Sequence, residues 1–347
     1  MIEIERGFML NLLAELLNEH SPTGYTEKAL GLLRRQMLIF PFLEFSTTRK
    51  GALLATWKVD GSSRPKAVTA HMDTLGAMVK EIRSNGRLSI SKIGGLQLNA
   101  VEAEGCWVVA SSGRLIRGSL LFEDASSHVH GAKVSETVRS EKNMEVRLDE
   151  MVFTADETKA LGVSVGDFIC FDPRVEITNG FVRSRFLDDK ACVASVVAAI
   201  KALADAGKEP AQTTTFHFSN YEEVGHGASA GIPSDVVELL TVDMAAVGAG
   251  QESDELNVTL CVKDSGGPYH YGLNNKLKDL AKVNGIPYKT DIYPYYGSDG
   301  EAFWRAGGDV AVSLIGPGVD ASHGYERTHS NALVNTAAWV AAFLMDA

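Results

Sequence analysis

A chain of 347 residues, 45% of them hydrophobic, has enough apolar material for one large domain or two of ordinary size. Its formal net charge of -11 argues against a nucleic-acid partner, because affinity for a phosphate backbone comes from clustered Lys and Arg. The four cysteines, Cys106, Cys170, Cys192 and Cys261, are scattered without a CxxC pair, which argues against a thiolate zinc site or a disulfide framework and fits a reducing, cytoplasmic setting.

The start, Met1-Ile-Glu-Ile-Glu-Arg, lacks the basic and apolar segments of a signal peptide. The most hydrophobic run, Ala191 to Ile200, lies between Lys190 and Lys201 and is too short to cross a bilayer, so a soluble protein without a membrane partner is expected. Leu10, Leu13, Leu16 and Leu17 recur at helical spacing and predict a helix over 4–19; a second is expected over 27–37, after the turn Ser21-Pro22-Thr23-Gly24. Strands are expected over 42–48 and 52–58, and a third, apolar one begins at Lys66 and leads to His71 and Asp73. Residues i and i+2 of a strand share a face, and a carboxylate so placed can fix the tautomer of a metal-binding imidazole. A structural histidine satisfied within the core is the other reading. From about Leu75 to Thr178, short strand-like pieces (88–90, 106–110, 144–148, 167–171) alternate with Gly, Ser and Asp turns, and helix-and-strand alternation resumes after Arg183. This pattern predicts a β-rich domain inserted into an α/β chain.

The next segment, Ser184-Arg185-Phe186-Leu187-Asp188-Asp189-Lys190, opens an Ala/Val-rich helix running to about Ala204. N-capping would account for one of its two aspartates and leaves the other unexplained. A strand expected over 213–218 delivers Ser219-Asn220-Tyr221-Glu222-Glu223-Val224-Gly225-His226-Gly227. Adjacent side chains point in different directions there, so one carboxylate can face a metal and its neighbour a water or a substrate. An exposed acidic turn is the alternative. Asp243 is a lone acid in the apolar run 240–247 and needs a partner or a metal. Further strands are expected over 257–263, 289–293 and 309–315, and helices over 273–283 and 331–344; Gly297-Ser298-Asp299-Gly300 opens another helix.

His71, Asp188, Glu223, Asp243 and His323 all fall at ends of expected core strands or starts of helices, with Asp73 and Glu222 beside two of them. In an open α/β sheet such positions converge where ligands bind. Two imidazoles and three carboxylates without a thiolate suit a pair of divalent ions: zinc first, cobalt or manganese also compatible. Such a pair clamps an attacking oxygen and polarises a carbonyl.

The segments Ala70-His-Met-Asp-Thr-Leu-Gly76, Gly162-Val-Ser-Val-Gly-Asp167, Ser184-Arg-Phe-Leu-Asp-Asp-Lys190, Tyr221-Glu-Glu-Val-Gly225, Val242-Asp243, Gly297-Ser-Asp299 and His323 stand in an order that resembles the M42 metallo-aminopeptidases, the tetrahedral aminopeptidase group. The resemblance implies an α/β fold: a three-layer di-metal peptidase catalytic domain (1–75 and 182–347) with an inserted β-rich dimerisation domain (76–181). It implies that Asp188 bridges two ions, that His71 and Asp243 complete one site, and that Glu223 and His323 complete the other. Glu222 would be the general base, with Asp73 behind His71 and Asp189 as a supporting acid. Short peptides would be the substrates, and dimers would build a hollow dodecamer.

Two departures lie beside the expected site. Where the family commonly continues Leu-Arg-Gly after Glu-Glu-Val-Gly, this chain has His226-Gly227-Ala228. Where a Ser-Pro pair commonly follows the last histidine, Gly324-Tyr325-Glu326-Arg327-Thr328-His329 follows His323, an ending similar to a subgroup found with enzymes of a small acylated dipeptide osmolyte. The competing functions are therefore a metal-dependent deacylase or deblocking enzyme, a glycoside hydrolase using Glu222 with Asp243 or Asp299, and a scaffold with a purely structural metal. His329 rivals His323 as a ligand but is better placed to cap the last helix. His128 and His130 are expected in a loop of the insert, either as surface residues or within reach of a site, their own or a neighbour's, while His20, His217 and His270 read as structural or surface residues.

Overall fold

The computed structural model describes residues 2–347. They form two units: the chain up to Asp73 together with Arg174–Ala347, and Thr74–Pro173. In chain order, the larger unit contains strands β1 (Leu43–Thr47), β2 (Leu53–Trp57) and β3 (Lys66–His71). The smaller unit contains β4 (Gly76–Ile82), β5 (Leu88–Ile93), β6 (Gly105–Val109), β7 (Leu115–Phe122), β8 (Met144–Leu148) and β9 (Phe168–Phe171). The larger unit then resumes with β10 (Glu176–Thr178), β11 (Phe181–Ser184), β12 (Thr214–Ser219), β13 (Glu238–Val242), β14 (Ala245–Ala246), β15 (Val258–Lys263), β16 (Tyr288–Ile292), β17 (Ala311–Val319) and β18 (Glu326–His329).

The main sheet runs β1-β2-β12-β3-β13-β17-β15-β16, with β14 paired to β17. Its centre, β12, β3, β13 and β17, is parallel, and every residue of β12, β3 and β13 is buried. Continuous burial of this kind requires cover on both faces of the sheet. The helices Arg6–Asn18, Leu187–Asp205 and Ser330–Met345 pack together beside it. Leu187–Asp205 is buried nearly all the way round, which its small Ala and Val side chains permit and a single apolar stripe would not. Lys66, the first residue of β3, is buried; its Nζ donates to the carbonyls of Phe343 at 3.1 Å and Asp346 at 2.7 Å, a cation set at the C-terminus of the last helix.

Strands β10, β11 and β18 form a separate three-stranded sheet of the larger unit, so the pairing of residues 176–178 draws into it part of the stretch that the sequence reading gave to the insert. The smaller unit is a closed barrel, β4-β5-β8-β7-β6-β9. Its buried Glu145 is neutralised by Arg83 at 2.8 Å and by Arg87. All four cysteines are free and buried, and among the described residues no helix is long and apolar enough to cross a membrane.

Candidate metal centre and active site

The parallel strands β3, β12, β13 and β17 end at one edge of the sheet, and the candidate residues lie at those ends. His71 is the last residue of β3, opposite Ser219 of β12. Glu222 and Glu223 occupy a short 3-10 turn just beyond β12, entered through Tyr221 at φ 77°. Asp243 follows β13; Gly316 of β17 lies so close to its backbone carbonyl that any Cβ there would collide with it. His323 follows β17 with φ 64°. Asp188 sits at the start of the helix Leu187–Asp205, in non-helical backbone.

These side chains converge in two overlapping groups. One donor atom each from His71, Asp188 and Asp243 lie within 4.8 Å of one another, as do donors from Asp188, Glu223 and His323. Asp188 is common to both: its Oδ1 is 3.0 Å from His71 Nε2 and its Oδ2 is 3.5 Å from His323 Nε2. His323 Nε2 also lies 3.5 Å from Glu223 Oε2, and Glu222 Oε2 lies 3.7 Å from His71 Nε2. The Nδ1–H of His71 donates to the backbone carbonyl of Asp73 at 2.8 Å, which turns Nε2 toward Asp188. Burial opposes a charge on the ring, but the contact with Asp188 and the surrounding acids raise its pKa well above the usual imidazole value.

The electrostatics are those of a cation site. Burial pushes the Glu222 and Glu223 carboxyls well above the usual range, with neighbouring acids adding to the rise, and lifts Asp243 to about 7. Burial opposes charge on Asp188 as well, but hydrogen bonds from His323 and His71 outweigh it and hold that carboxyl low. Burial opposes protonation of His323, yet its contact with Asp188 wins and raises it to about 10. Acids crowded in a buried pocket with two imidazoles must either take up protons or share a cation. The donor set, imidazole nitrogen and carboxylate oxygen around one shared aspartate, fits a pair of divalent ions.

The supporting residues divide the work differently from the sequence reading. Asp73 was expected to orient His71 through its carboxylate. Its carbonyl does this instead; the carboxylate Oδ1 is 3.8 Å from the ring. That carboxylate accepts from Thr23 Oγ1 at 2.6 Å and from the backbone N–H groups of Glu222 at 3.2 Å and Glu223 at 3.4 Å, and so fixes the carboxylate turn. The reason is that β3 stops at His71, so strand alternation no longer governs Asp73. Neither Asp188 nor Asp189 caps its helix, whose N-cap is Phe186 with no side-chain bond. Asp189 Oδ2 accepts from the His71 backbone N–H at 3.2 Å.

Glu326 was missed as a site residue. It is buried, and its two oxygens accept from Asp188 N–H at 3.1 Å and His323 N–H at 3.0 Å, so one carboxylate holds the backbone of both groups. Burial raises it to about 8. The available signal was its position three residues after His323, in the segment already noted as a departure. Asp299 is a buried clamp that accepts from Ser219 Oγ, Thr69 Oγ1 and Ala228 N–H, which positions the turn after His226.

Of the other histidines, His329 caps the last helix by accepting from Asn331 N–H at 3.1 Å. His226 is exposed and stacks on Tyr221 with ring centroids 5.1 Å apart. His270 caps the helix Tyr271–Asn284. His217 is fully buried, with Nδ1 3.0 Å from Thr69 Oγ1. On the smaller unit His128 is exposed and His130 lies 3.4 Å from Asp124.

His and carboxylate groups gathered at the ends of parallel strands in an α/β protein suit an enzyme that works with bound cations. Comparison defines the family: residues 51–338 match the M42 glutamyl aminopeptidase family, and the chain belongs to the M42 peptidases, which are metallopeptidases acting on peptide bonds. A protein of Bacillus subtilis (strain 168) named "Putative aminopeptidase YhfE" is 46% identical over 329 residues, covering 94% of each chain. Among solved structures, the TET1 peptidase of Pyrococcus horikoshii superposes with a TM-score of 0.86 at 22% identity, covering 98% of this chain and 100% of the other. The aminopeptidase APDkam598 of the archaeon Desulfurococcus kamchatkensis gives 0.86 at 22% identity, covering 99% and 96%. At such identities the likeness is one of fold.

Proposed function

We propose that this chain is a two-metal aminopeptidase that removes the N-terminal residue of short peptides. The observation that carries the reading is the pair of His/carboxylate groups sharing Asp188, with Glu222 beside them. His71, Asp188 and Asp243 would hold one ion, and Asp188, Glu223 and His323 the other. Bound there, divalent cations supply Lewis acidity toward the scissile carbonyl and lower the pKa of a water towards about 7.

The chain's own groups do the rest. Glu222, tied through its N–H to Asp73, takes the proton from the attacking water and returns it to the nitrogen of the leaving amine. The bond from His71 Nδ1–H to the Asp73 carbonyl fixes the ring so that Nε2 is the nitrogen that would face an ion. Glu326 holds Asp188 and His323 in register through their backbones. Burial of the acids excludes bulk water and sharpens each of these interactions.

The test is hydrolysis of Ala-Ala-Ala and its N-acetylated form by metal-stripped protein, before and after zinc, cobalt or manganese is returned singly. Release of alanine from the free peptide alone, on metal return, supports the proposal. Cleavage confined to the acetylated peptide would make the enzyme a deacylase or deblocking enzyme. We further propose that the smaller unit mediates self-association, because it exposes Val129, Val138, Met151, Phe153 and Val165 to between 68% and 87%. The P. horikoshii peptidase is described as assembling into a tetrahedron or a large octahedral shell.

A further inference from the structure

Beside the carboxylate turn lies a cavity of about 550 Å³ that the reaction above does not use. Its walls come from three places: the start of the helix Glu27–Met37, the β1–β2 turn, and Asn220-Tyr221. Its charge is unlike that of the molecule. The chain has 33 basic against 44 acidic residues, yet the cavity is lined by four cations, Lys28, Arg34, Arg49 and Lys50, and one carboxylate, Glu27. Among the described residues Lys28, Arg34 and Arg49 have no ion-pair partner, and all three are exposed at the rim. The helix beginning at the same rim has no side-chain cap, so its first N–H groups add positive potential. Unpaired cations gathered on a concavity in an acidic protein favour an anion there.

The cavity is wired to the catalytic turn. Asn220 bridges two of its walls: Oδ1 accepts from Gly24 N–H at 3.1 Å, and Nδ2 donates to the Lys50 carbonyl at 3.2 Å. Tyr221 forms the third wall, and the next residue is Glu222. Lys50 Nζ donates to the carbonyls of His226 and Gly227 and to Ser229 Oγ, which closes the turn on its far side. An occupant of the cavity therefore lies against Asn220 and Tyr221, the two residues that precede Glu222, and against Lys50, which ties down the end of the same turn.

We propose that this cavity binds a carboxylate, that of the C-terminal end of a short peptide. The proposal rests on the aminopeptidase reading for the identity of the peptide. Arg34 and Arg49 offer guanidinium groups matched to a carboxylate. The same chemistry has two sources: the distal end of the peptide being cleaved, or a separate peptide bound as a ligand. As the first, it would select di- and tripeptides whose C-terminus reaches the cavity while their N-terminal residue occupies the metal site.

The test pairs kinetics with binding. The kcat/KM ratio of Ala-Ala to Ala-Ala amide is measured for the wild type, for Arg34→Gln/Arg49→Gln and for Arg34→Lys/Arg49→Lys. The same two peptides are titrated by calorimetry into metal-stripped protein, which needs no turnover. A ratio of about 10 or more in the wild type, falling to about 1 in the glutamine variant and partly restored by lysine, supports recognition of the substrate's own carboxylate; tenfold corresponds to about 1.4 kcal/mol, within the range of one charge-assisted contact. A ratio near 1, with Ala-Ala but not its amide binding the stripped wild type and not the glutamine variant, supports the cavity as the site of a separate peptide. No difference between acid and amide in either measurement, or equal differences in wild type and glutamine variant, overturns the proposal. Calorimetry stands apart from hydrolysis, so failure of the aminopeptidase reading and failure of this site are read separately.

Discussion

The smallest scale at which the account can be tested is the single carboxyl group. Glu222→Gln keeps shape and burial but removes the proton acceptor, so the variant is expected to bind metal and unfold as the wild type does while turnover drops about 10²- to 10⁴-fold. Metal content by elemental analysis, melting temperature and peptide hydrolysis check the three parts; retained turnover would remove Glu222 from the mechanism. His217 makes an independent claim about pH. Burial lowers its pKa from 6.5 to about 4, so the unfolded chain binds more protons over that interval. Its contribution is fully present above pH 6.5 and is lost as pH falls through 4, a change of about 3 kcal/mol. Urea unfolding of the wild type and His217→Gln between pH 7 and 4 checks this. The wild type should lose more stability on acidification, and identical slopes would contradict it.

At the scale of elements, the site depends on how strand ends and helix starts are held. Glu326 links the start of β18 to the backbone N–H groups of Asp188 and His323. Glu326→Ala would leave both donors without their acceptor, and metal affinity is expected to fall about 10- to 100-fold. Metal titration of the stripped variant measures it; unchanged affinity would reduce Glu326 to a packing residue. The same elements explain what was legible in the sequence. The expected helices over 27–37 and 331–344 and the strands leading to His71 and Asp243 correspond closely to Glu27–Met37, Ser330–Met345, β3 and β13, because their apolar periodicity and turn residues agree with burial in the sheet. Glu326 was not legible, since its role is set by a strand pairing of Ser184 with Glu326 across 142 residues that no local pattern encodes. The Asp73 contact was misassigned because a strand's end, not its periodicity, decides which way that side chain turns.

For the whole molecule, the central sheet, the buried helix Leu187–Asp205 and the barrel form the architecture that the M42 resemblance implied. Self-association is a property of this scale. If the exposed Met151 and Phe153 are covered by a second copy, light scattering will give a multiple of the monomer mass, and Met151→Lys/Phe153→Lys will shift it toward the monomer; a monomeric wild type would contradict this. The account as a whole rests on Asp188 serving two ions at once. The measurement that tests this most directly is the number of zinc ions bound per subunit when stripped wild type and Asp188→Asn are titrated side by side. The account predicts two for the wild type and loss of both high-affinity sites in the variant. One ion in the wild type, or two retained without the Asp188 carboxylate, would contradict it.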